Sequence, residues 1–144
     1  MPARHASTTW TGDIESGSGH VTLDDSKAGE FTISYPSRAN DAASEQTNPE
    51  ELIAAAHSGC FAMNLAGHLK QADLTADQLA VTSKVTLKQV DGGLAITDIA
   101  LTLQASIPGV DDARFQEIAA EAERTCPVSK VLAAATITLS ATLV

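Results

Sequence analysis

The stretch NPEELIAAAHSGCFAMNLAGHL, residues 48–69, most constrains the fold of this chain. Asn48 suits the N-cap of a helix and Pro49 its first position, and Glu51 stands at the capping-box position three residues after the cap. The helix that follows is apolar or small on nearly every side. Because a helix without a polar face is normally buried, the sequence predicts one long buried helix.

Alternating apolar and polar residues predict strands on both sides of this helix. The predicted elements are three antiparallel strands within 5–35, a polar loop at 36–47, the long helix, a hairpin of 79–90 and 94–107 joined by Asp-Gly-Gly, an amphipathic helix within 108–125, a short helix opened by Pro127, and a last strand at 136–144. The order βββ–α–ββ–α–β predicts a single α+β domain over residues 1–144 with antiparallel sheet.

Composition excludes several classes of partner. The chain has 144 residues, a net charge of −9, three Phe, one Trp and one Tyr. An acidic chain does not attract nucleic-acid phosphates, and so few aromatic side chains cannot form a surface for stacking bases. No apolar run approaches the ~18 residues of a membrane span, and the start MPARHASTTWTGD has no signal-peptide pattern. We therefore expect no nucleic acid, no membrane association and a cytoplasmic location.

The chain has two cysteines, Cys60 inside the long helix and Cys126 in ERTCPVSKVL. They could be inert core thiols, a structural disulfide or a reactive pair. A structural disulfide is unusual in the cytoplasm, and a bridge worth roughly 4 kcal/mol is not needed by a chain long enough to build its own core. The residues alone leave inert thiols and a reactive pair open.

A metal site is another hypothesis for the long helix around Cys60. His57 and Cys60 could be two ligands, with His68 as a third, but structural zinc needs four closely spaced ligands and no CxxC pair is present. We therefore expect no metal and no cofactor, and we expect His57 and His68 to be hydrogen-bonded core or interface residues.

The motifs TNPEELIAAAHSGCFAMNL and CPVSKVL resemble the osmotically inducible protein C (OsmC) family, which is related to the organic hydroperoxide resistance (Ohr) proteins. The segments WTGDIESGSGHV and VDGGLAITDIALTLQASIPGVD extend the resemblance over essentially the whole chain. His57 and the SKVL after Pro127 are more similar to the OsmC branch. The resemblance implies antiparallel sheets wrapped around the long helix and a second amphipathic helix, in an intertwined homodimer with active sites at the interface.

The resemblance also implies an activity. It predicts a thiol-dependent peroxidase for organic hydroperoxides, active in oxidative and osmotic stress defence and recycled by an external dithiol, which in relatives is commonly a lipoyl group. Cys60 falls on the family's peroxidatic cysteine, Cys126 on its resolving cysteine and Glu50 on its active-site glutamate. Arg38 is the arginine available in the loop before the helix.

Thiol chemistry agrees with this cycle but leaves the attacking residue open. A thiolate attacks the peroxide and becomes a sulfenic acid, which a second thiol converts to a disulfide. Cys126 precedes Pro127 at a helix N-cap, where a thiolate is favoured, whereas burial raises the pKa of a mid-helix cysteine. Local electrostatics alone therefore favour Cys126. The resemblance assigns Cys60, which we follow, with Arg38 offsetting burial and Glu50 orienting Arg38 through a bidentate pair.

Helix geometry predicts a site shared by two subunits. Ten residues separate Glu50 from Cys60 on one helix, which places them about 15 Å apart along the axis and about 80° apart around it. An antiparallel partner would bring its Glu50 to this Cys60. Two alternative functions remain: a redox sensor whose disulfide is a switch, and a binder of small molecules in an apolar pocket around Phe61 and Met63.

Overall fold

The computed structural model describes residues 3–39 and 45–144. Residues 40–44 of the predicted polar loop lie outside this part, as do residues 1 and 2. The elements are β1 (Ala6–Thr11), β2 (Ser18–Leu23), β3 (Glu30–Ile33), α1 (Tyr35–Ala39), α2 (Pro49–Gln71), β4 (Gln78–Val90), β5 (Gly93–Ser106), α3 (Asp112–Thr125), α4 (Pro127–Val131) and β6 (Thr136–Leu143). The predicted α+β class is confirmed.

The chain divides into two compact units, Met1–Leu52 and Ile53–Val144. A single domain over 1–144 stays a prediction. In the described ranges 3–39 and 45–144, no helix combines the length and apolar character needed to cross a membrane.

The first unit contains an antiparallel sheet in the order β1-β2-β3, as predicted. The prediction of an irregular segment directly after β3 is wrong, because α1 forms there. Ser34 caps this helix: its hydroxyl oxygen accepts from the Ser37 backbone N–H at 3.2 Å, and the Ser37 hydroxyl donates to the Ser34 carbonyl at 2.8 Å. A capping serine with a proline in the first helical turn, here Pro36, is a helix-start signal, and it sets the position of Arg38.

The predicted start of α2 is confirmed. The Asn48 side-chain oxygen accepts from the Glu51 backbone N–H at 2.8 Å, which satisfies one of the free donors of the first turn. The Glu51 carboxylate accepts from the Thr47 hydroxyl. The helix then continues through Gly59 to Gln71 without a break.

The burial predicted for α2 holds for one face only. Phe61, Leu65 and Leu69 are almost completely buried. The opposite face is open in the single chain and consists of small or apolar residues: Ala55, Ala56, Gly59, Met63, Ala66 and Gly67. A side chain added at Gly59 or Gly67 would meet nothing within 4 Å. This open face is apolar although it is exposed.

The second unit contains a sheet in the order β4-β5-β6. β4 and β5 form the predicted hairpin, in which Gly92 and Gly93 have φ angles of +96° and +132° that favour glycine. β6 pairs parallel to β5, so the prediction of wholly antiparallel sheet is wrong here. Because α3 and α4 carry the chain back between the two strands, β6 runs in the same direction as β5.

The hydrophobic core of the second unit lies between α2, the sheet and α3. Asp111 caps the predicted amphipathic helix α3 by accepting from the Arg114 backbone N–H at 2.8 Å. The buried core residues are Phe61, Leu65, Leu69, Leu101, Leu103, Ala105, Ile107, Phe115, Ile118, Ala119, Ala122 and Cys126. One of the two predicted reactive cysteines is therefore a member of the core, and Cys60 packs against its edge.

Candidate active site

The four residues predicted for the site form two pairs, one in each unit. Cys60 lies midway along α2, and Cys126 follows α3 as the N-cap residue of α4. The Cys126 thiol donates to Cys60 Sγ, and the two sulfurs are 3.4 Å apart. Both cysteines are free thiols. A disulfide, with sulfurs about 2.05 Å apart, can form here through a small movement.

Three influences act on the pKa of Cys60, of which two raise it and one lowers it. Burial is the largest and raises it, and the neighbouring Cys126 thiol raises it further. A hydrogen bond from the Val128 backbone N–H lowers it. Because Pro127 has no N–H, Val128 carries the first free N–H of α4. Cys60, although it lies in the middle of its own helix, therefore gains a donor from the start of α4.

Accessibility distinguishes the two thiols. Cys126 is fully buried, at 0% exposure, whereas Cys60 is only partly buried. Of the two cysteines, Cys60 is therefore the one with surface exposed to solvent in the single chain. This difference favours Cys60 as the attacking thiol and opposes the argument from local electrostatics, which favoured Cys126.

Arg38 and Glu50 form a bidentate ion pair within the first unit. Arg38 Nε lies 3.0 Å from Glu50 Oε1 and 3.2 Å from Oε2, and Arg38 Nη2 lies 2.7 Å from Oε1. The hydrogen bonds that Arg38 donates to Glu50 raise the pKa of Arg38, so the guanidinium is held charged. The Glu50 side chain is 11% exposed and the Arg38 side chain 33%. The carboxylate thus fixes a guanidinium that stays open to a further partner.

His57 contacts a residue that the sequence did not single out, Ser129 in α4. His57 is fully buried, and its Nε2 is 2.9 Å from Ser129 Oγ. Burial lowers the pKa of His57 more than the charge of Glu123 raises it, so the ring is neutral near pH 7. Ser129 lies in the CPVSK motif, but nothing local to that motif indicates a histidine partner.

The second predicted hydrogen-bonded histidine contacts the end of α3. His68 Nε2 is 2.8 Å from Thr125 Oγ1, and Asn64 Nδ2 donates to the same oxygen at 2.8 Å. The prediction that His57 and His68 are hydrogen-bonded is confirmed. Over the described residues, no group of three or more His, Cys, Asp or Glu side chains is placed to hold a metal ion.

The prediction of an apolar pocket around Phe61 and Met63 is wrong, because the two side chains lie in different environments. Phe61 is fully buried in the core, whereas Met63 is 76% exposed on the open face of α2. Residues two positions apart on a helix point to different sides of it. Phe61 therefore cannot line an approach to Cys60 that Met63 also lines.

Comparisons with known proteins give a consistent result. The family model described as OsmC-like protein matches residues 41–140. Peroxiredoxin OsmC of Escherichia coli (strain K12) is 40% identical over 125 residues, which cover 87% of this chain and 86% of that protein. An organic hydroperoxide resistance protein of Xanthomonas axonopodis pv. citri (strain 306) is 31% identical over 104 residues, 72% of this chain and 71% of that protein. The crystal structure of an organic hydroperoxide resistance protein from Elizabethkingia anophelis is similar with a TM-score of 0.74 at 31% identity, covering 99% of this chain and 96% of that one.

Proposed function

Because this chain belongs to the OsmC-like family, as its two cysteine motifs predict, we propose that it is a thiol-dependent peroxidase that reduces organic hydroperoxides to alcohols. Its role is then defence against oxidative and osmotic stress. The observation that carries the proposal is the Cys60–Cys126 pair, with 3.4 Å between the sulfurs and only Cys60 accessible. This is the arrangement that a peroxidatic and a resolving thiol require.

The proposed cycle has three steps. The Cys60 thiolate attacks one peroxide oxygen, so that the S–O bond forms, the O–O bond breaks and the alkoxide leaves as an alcohol after taking a proton from water. The Cys126 sulfur then attacks the Cys60 sulfenic acid and releases water. An external dithiol, such as a lipoyl group, supplies two electrons and two protons and returns both thiols.

Arg38 and Glu50 act on the first step in this proposal. A thiolate that is partly buried needs a nearby positive charge, since burial disfavours the charged form. The Arg38 guanidinium can supply that charge, and the bidentate pair with Glu50 fixes its orientation. Because Glu50 holds Arg38 of its own chain, the two act as one group.

We place that group at Cys60 of a second subunit. The open face of α2 gives physical support, because its alanines and glycines allow the backbone of another helix to approach closely, and exposed apolar faces commonly mark interfaces. Most soluble oligomers are two-fold homodimers. Two antiparallel α2 helices that cross near Ala55, at the start of this face, would bring the Glu50 end of each toward the Cys60 region of the other.

Met63→Asp is expected to break the dimer and the activity together. Met63 is 76% exposed in the single chain, so the new carboxylate is harmless there, but in the proposed dimer each new charge would be desolvated where this face meets the partner subunit. Analytical ultracentrifugation should give a folded monomer. Val144→Asp, at a residue 74% exposed on the last position of the chain, is the matched control and should stay dimeric. A dimeric, active Met63→Asp protein would exclude this face as the interface.

The activity itself is tested by steady-state reduction of cumene hydroperoxide and of hydrogen peroxide with dihydrolipoamide as reductant. We expect kcat/KM to be at least about tenfold higher for cumene hydroperoxide, a difference of about 1.4 kcal/mol. Burial of roughly 55 Å² of apolar surface supplies that much, and Leu52 and Ile53, both partly buried, are candidates to provide it on α2. Equal or faster use of hydrogen peroxide would contradict an apolar approach to Cys60.

The same assay separates the alternative functions. A redox sensor would form one disulfide per chain with hydroperoxide but would not turn over with dithiol. A protein that only binds small molecules would retain the hydroperoxide unchanged, with both thiols still titratable. The sulfur–sulfur contact favours the peroxidase and the sensor over the binder, because binding alone gives no reason for it.

A further inference from the structure

We propose that His57 and Ser129 are positioning residues, whose hydrogen bond holds the first turn of α4 against α2 and so keeps Cys126 in place to attack an oxidised Cys60. The inference rests on the proposed cycle and concerns its second step. It assigns a function to two buried polar residues that the cycle does not otherwise use.

The helix α4 depends on a small number of inward contacts. It has five residues, far below the length at which a helix is stable alone. Three of its five residues, Pro127, Lys130 and Val131, are exposed, and Val131 is 81% exposed. Its inward side chains are Val128 and Ser129, next to Cys126 at the cap. Of these contacts, the hydrogen bond between His57 and Ser129 is the most directional.

The geometry links this bond to the reacting sulfurs. His57 and Cys60 are three residues apart on α2, so they lie on the same face one turn apart. Ser129 and Cys126 are also three residues apart, at the start of α4. The two helices are therefore joined by two parallel contacts, His57 to Ser129 at 2.9 Å and Cys60 to Cys126 at 3.4 Å. A shift of the first contact moves the second.

The polar capacity of His57 is directed at α4 alone. Nε2 is used by Ser129, whereas Nδ1 is buried and has no hydrogen-bond partner in the part of the chain that the structure describes. An unpaired acceptor is tolerated better than an unpaired donor, which favours the tautomer in which Nε2–H donates to the Ser129 oxygen. One histidine thus supplies one hydrogen bond, and it joins the two helices that carry the cysteines.

The step that depends on this placement is disulfide formation. Cys126 Sγ attacks Cys60 Sγ, the S–S bond forms, the S–O bond of the sulfenic acid breaks, and hydroxide leaves as water after taking the thiol proton. The sulfurs must approach by about 1.3 Å to bonding distance. If α4 is displaced, Cys60 remains a sulfenic acid for longer, and a second hydroperoxide can oxidise it irreversibly to sulfinic acid.

The test measures the two chemical steps separately. His57→Asn moves the polar atom to the Nδ1 position and leaves Ser129 unpaired, whereas His57→Gln keeps a polar atom near the Nε2 position. Ser129→Ala removes only the hydroxyl, and Ser58→Ala is the control, because the Ser58 hydroxyl donates to the Ala55 carbonyl within α2. Stopped-flow mixing with one equivalent of cumene hydroperoxide gives the rate of Cys60 oxidation and then the rate of disulfide formation. Mass spectrometry gives the sulfinic acid formed per turnover.

We expect His57→Asn and Ser129→Ala to slow disulfide formation by about tenfold or more, with the rate of Cys60 oxidation changed less than about twofold, since small misplacements cost large factors. Sulfinic acid should rise in the same proportion, and His57→Gln and Ser58→Ala should resemble the wild type. A disulfide rate that is unchanged in Ser129→Ala would overturn the proposal. The proposal would also be overturned if the rates of Cys60 oxidation and of disulfide formation fell in parallel, by a factor that matches the loss of folded protein measured by circular dichroism. A wild-type protein that forms no disulfide would instead contradict the proposed function.

Discussion

Mixing inactive Cys60→Ser chains with inactive Arg38→Ala chains is expected to restore about a quarter of wild-type activity once subunits have exchanged. In a shared site, Cys60 of one subunit works with the Arg38–Glu50 pair of the other. Half of the dimers in an equal mixture contain one chain of each kind, and each of these has one intact site out of two. Residual activity of each variant alone sets the background.

The Arg38–Glu50 pair makes a sharper control possible. Because Arg38 contacts Glu50 of its own chain through two nitrogens, damage to either residue disables the same group. A mixture of Glu50→Ala and Arg38→Ala chains should therefore stay inactive. Recovery in this second mixture would mean that the two residues serve different sites. No recovery in the first mixture, with exchange demonstrated by native mass spectrometry, would place the whole site within one chain.

The Cys126→Ser protein is expected to lose its activity within a few turnovers, with Cys60 converted to sulfinic and then sulfonic acid. Cys126 is 3.4 Å from Cys60, and no other cysteine exists to remove the sulfenic acid. The hydroxyl of serine cannot form the disulfide, so each further hydroperoxide oxidises the same sulfur. Intact mass should show added oxygen atoms, and peptide mapping should locate them on Cys60.

The reciprocal variant is the control. In Cys60→Ser, the remaining thiol of Cys126 is fully buried, so hydroperoxide should leave it reduced over the same period. Oxygen atoms on Cys126 in this protein, with Cys60 unmodified in Cys126→Ser, would reverse the roles of the two cysteines and restore the interpretation from local electrostatics.

Local signals account for the parts of the fold that were predicted correctly. Asn48 and Pro49 start α2 because their preferences act within one turn, and glycines at the turn of the β4–β5 hairpin act equally locally. The direction of β6 was not predictable in this way, since alternation is the same in parallel and antiparallel strands. It depends on the path of α3 and α4 between the strands.

In the candidate site, too, some features could be predicted from local motifs and others could not. The motifs around Cys60 and Cys126 predicted two reactive thiols, and their contact agrees with that. The Val128 N–H at Cys60 and the Ser129 hydroxyl at His57 were not predictable, because each joins residues far apart in sequence through the placement of α4. The exposure of one face of α2 was not predictable for another reason. An apolar helix has the same composition whether its second face is covered by its own chain or by another.

In the proposed cycle, the unequal exposure of the two cysteines also determines how the two substrates share the site. Once the disulfide has formed, Cys126 remains enclosed by the core, so an incoming thiol can reach only Cys60, and Cys126 is the leaving group. The hydroperoxide and the reductant therefore use the same sulfur from the same side, and they exclude each other. Such an enzyme follows ping-pong kinetics, in which excess of one substrate competes with the other. A slender dithiol on a flexible arm suits a partly buried cysteine such as Cys60 better than a thiol on a rigid protein surface.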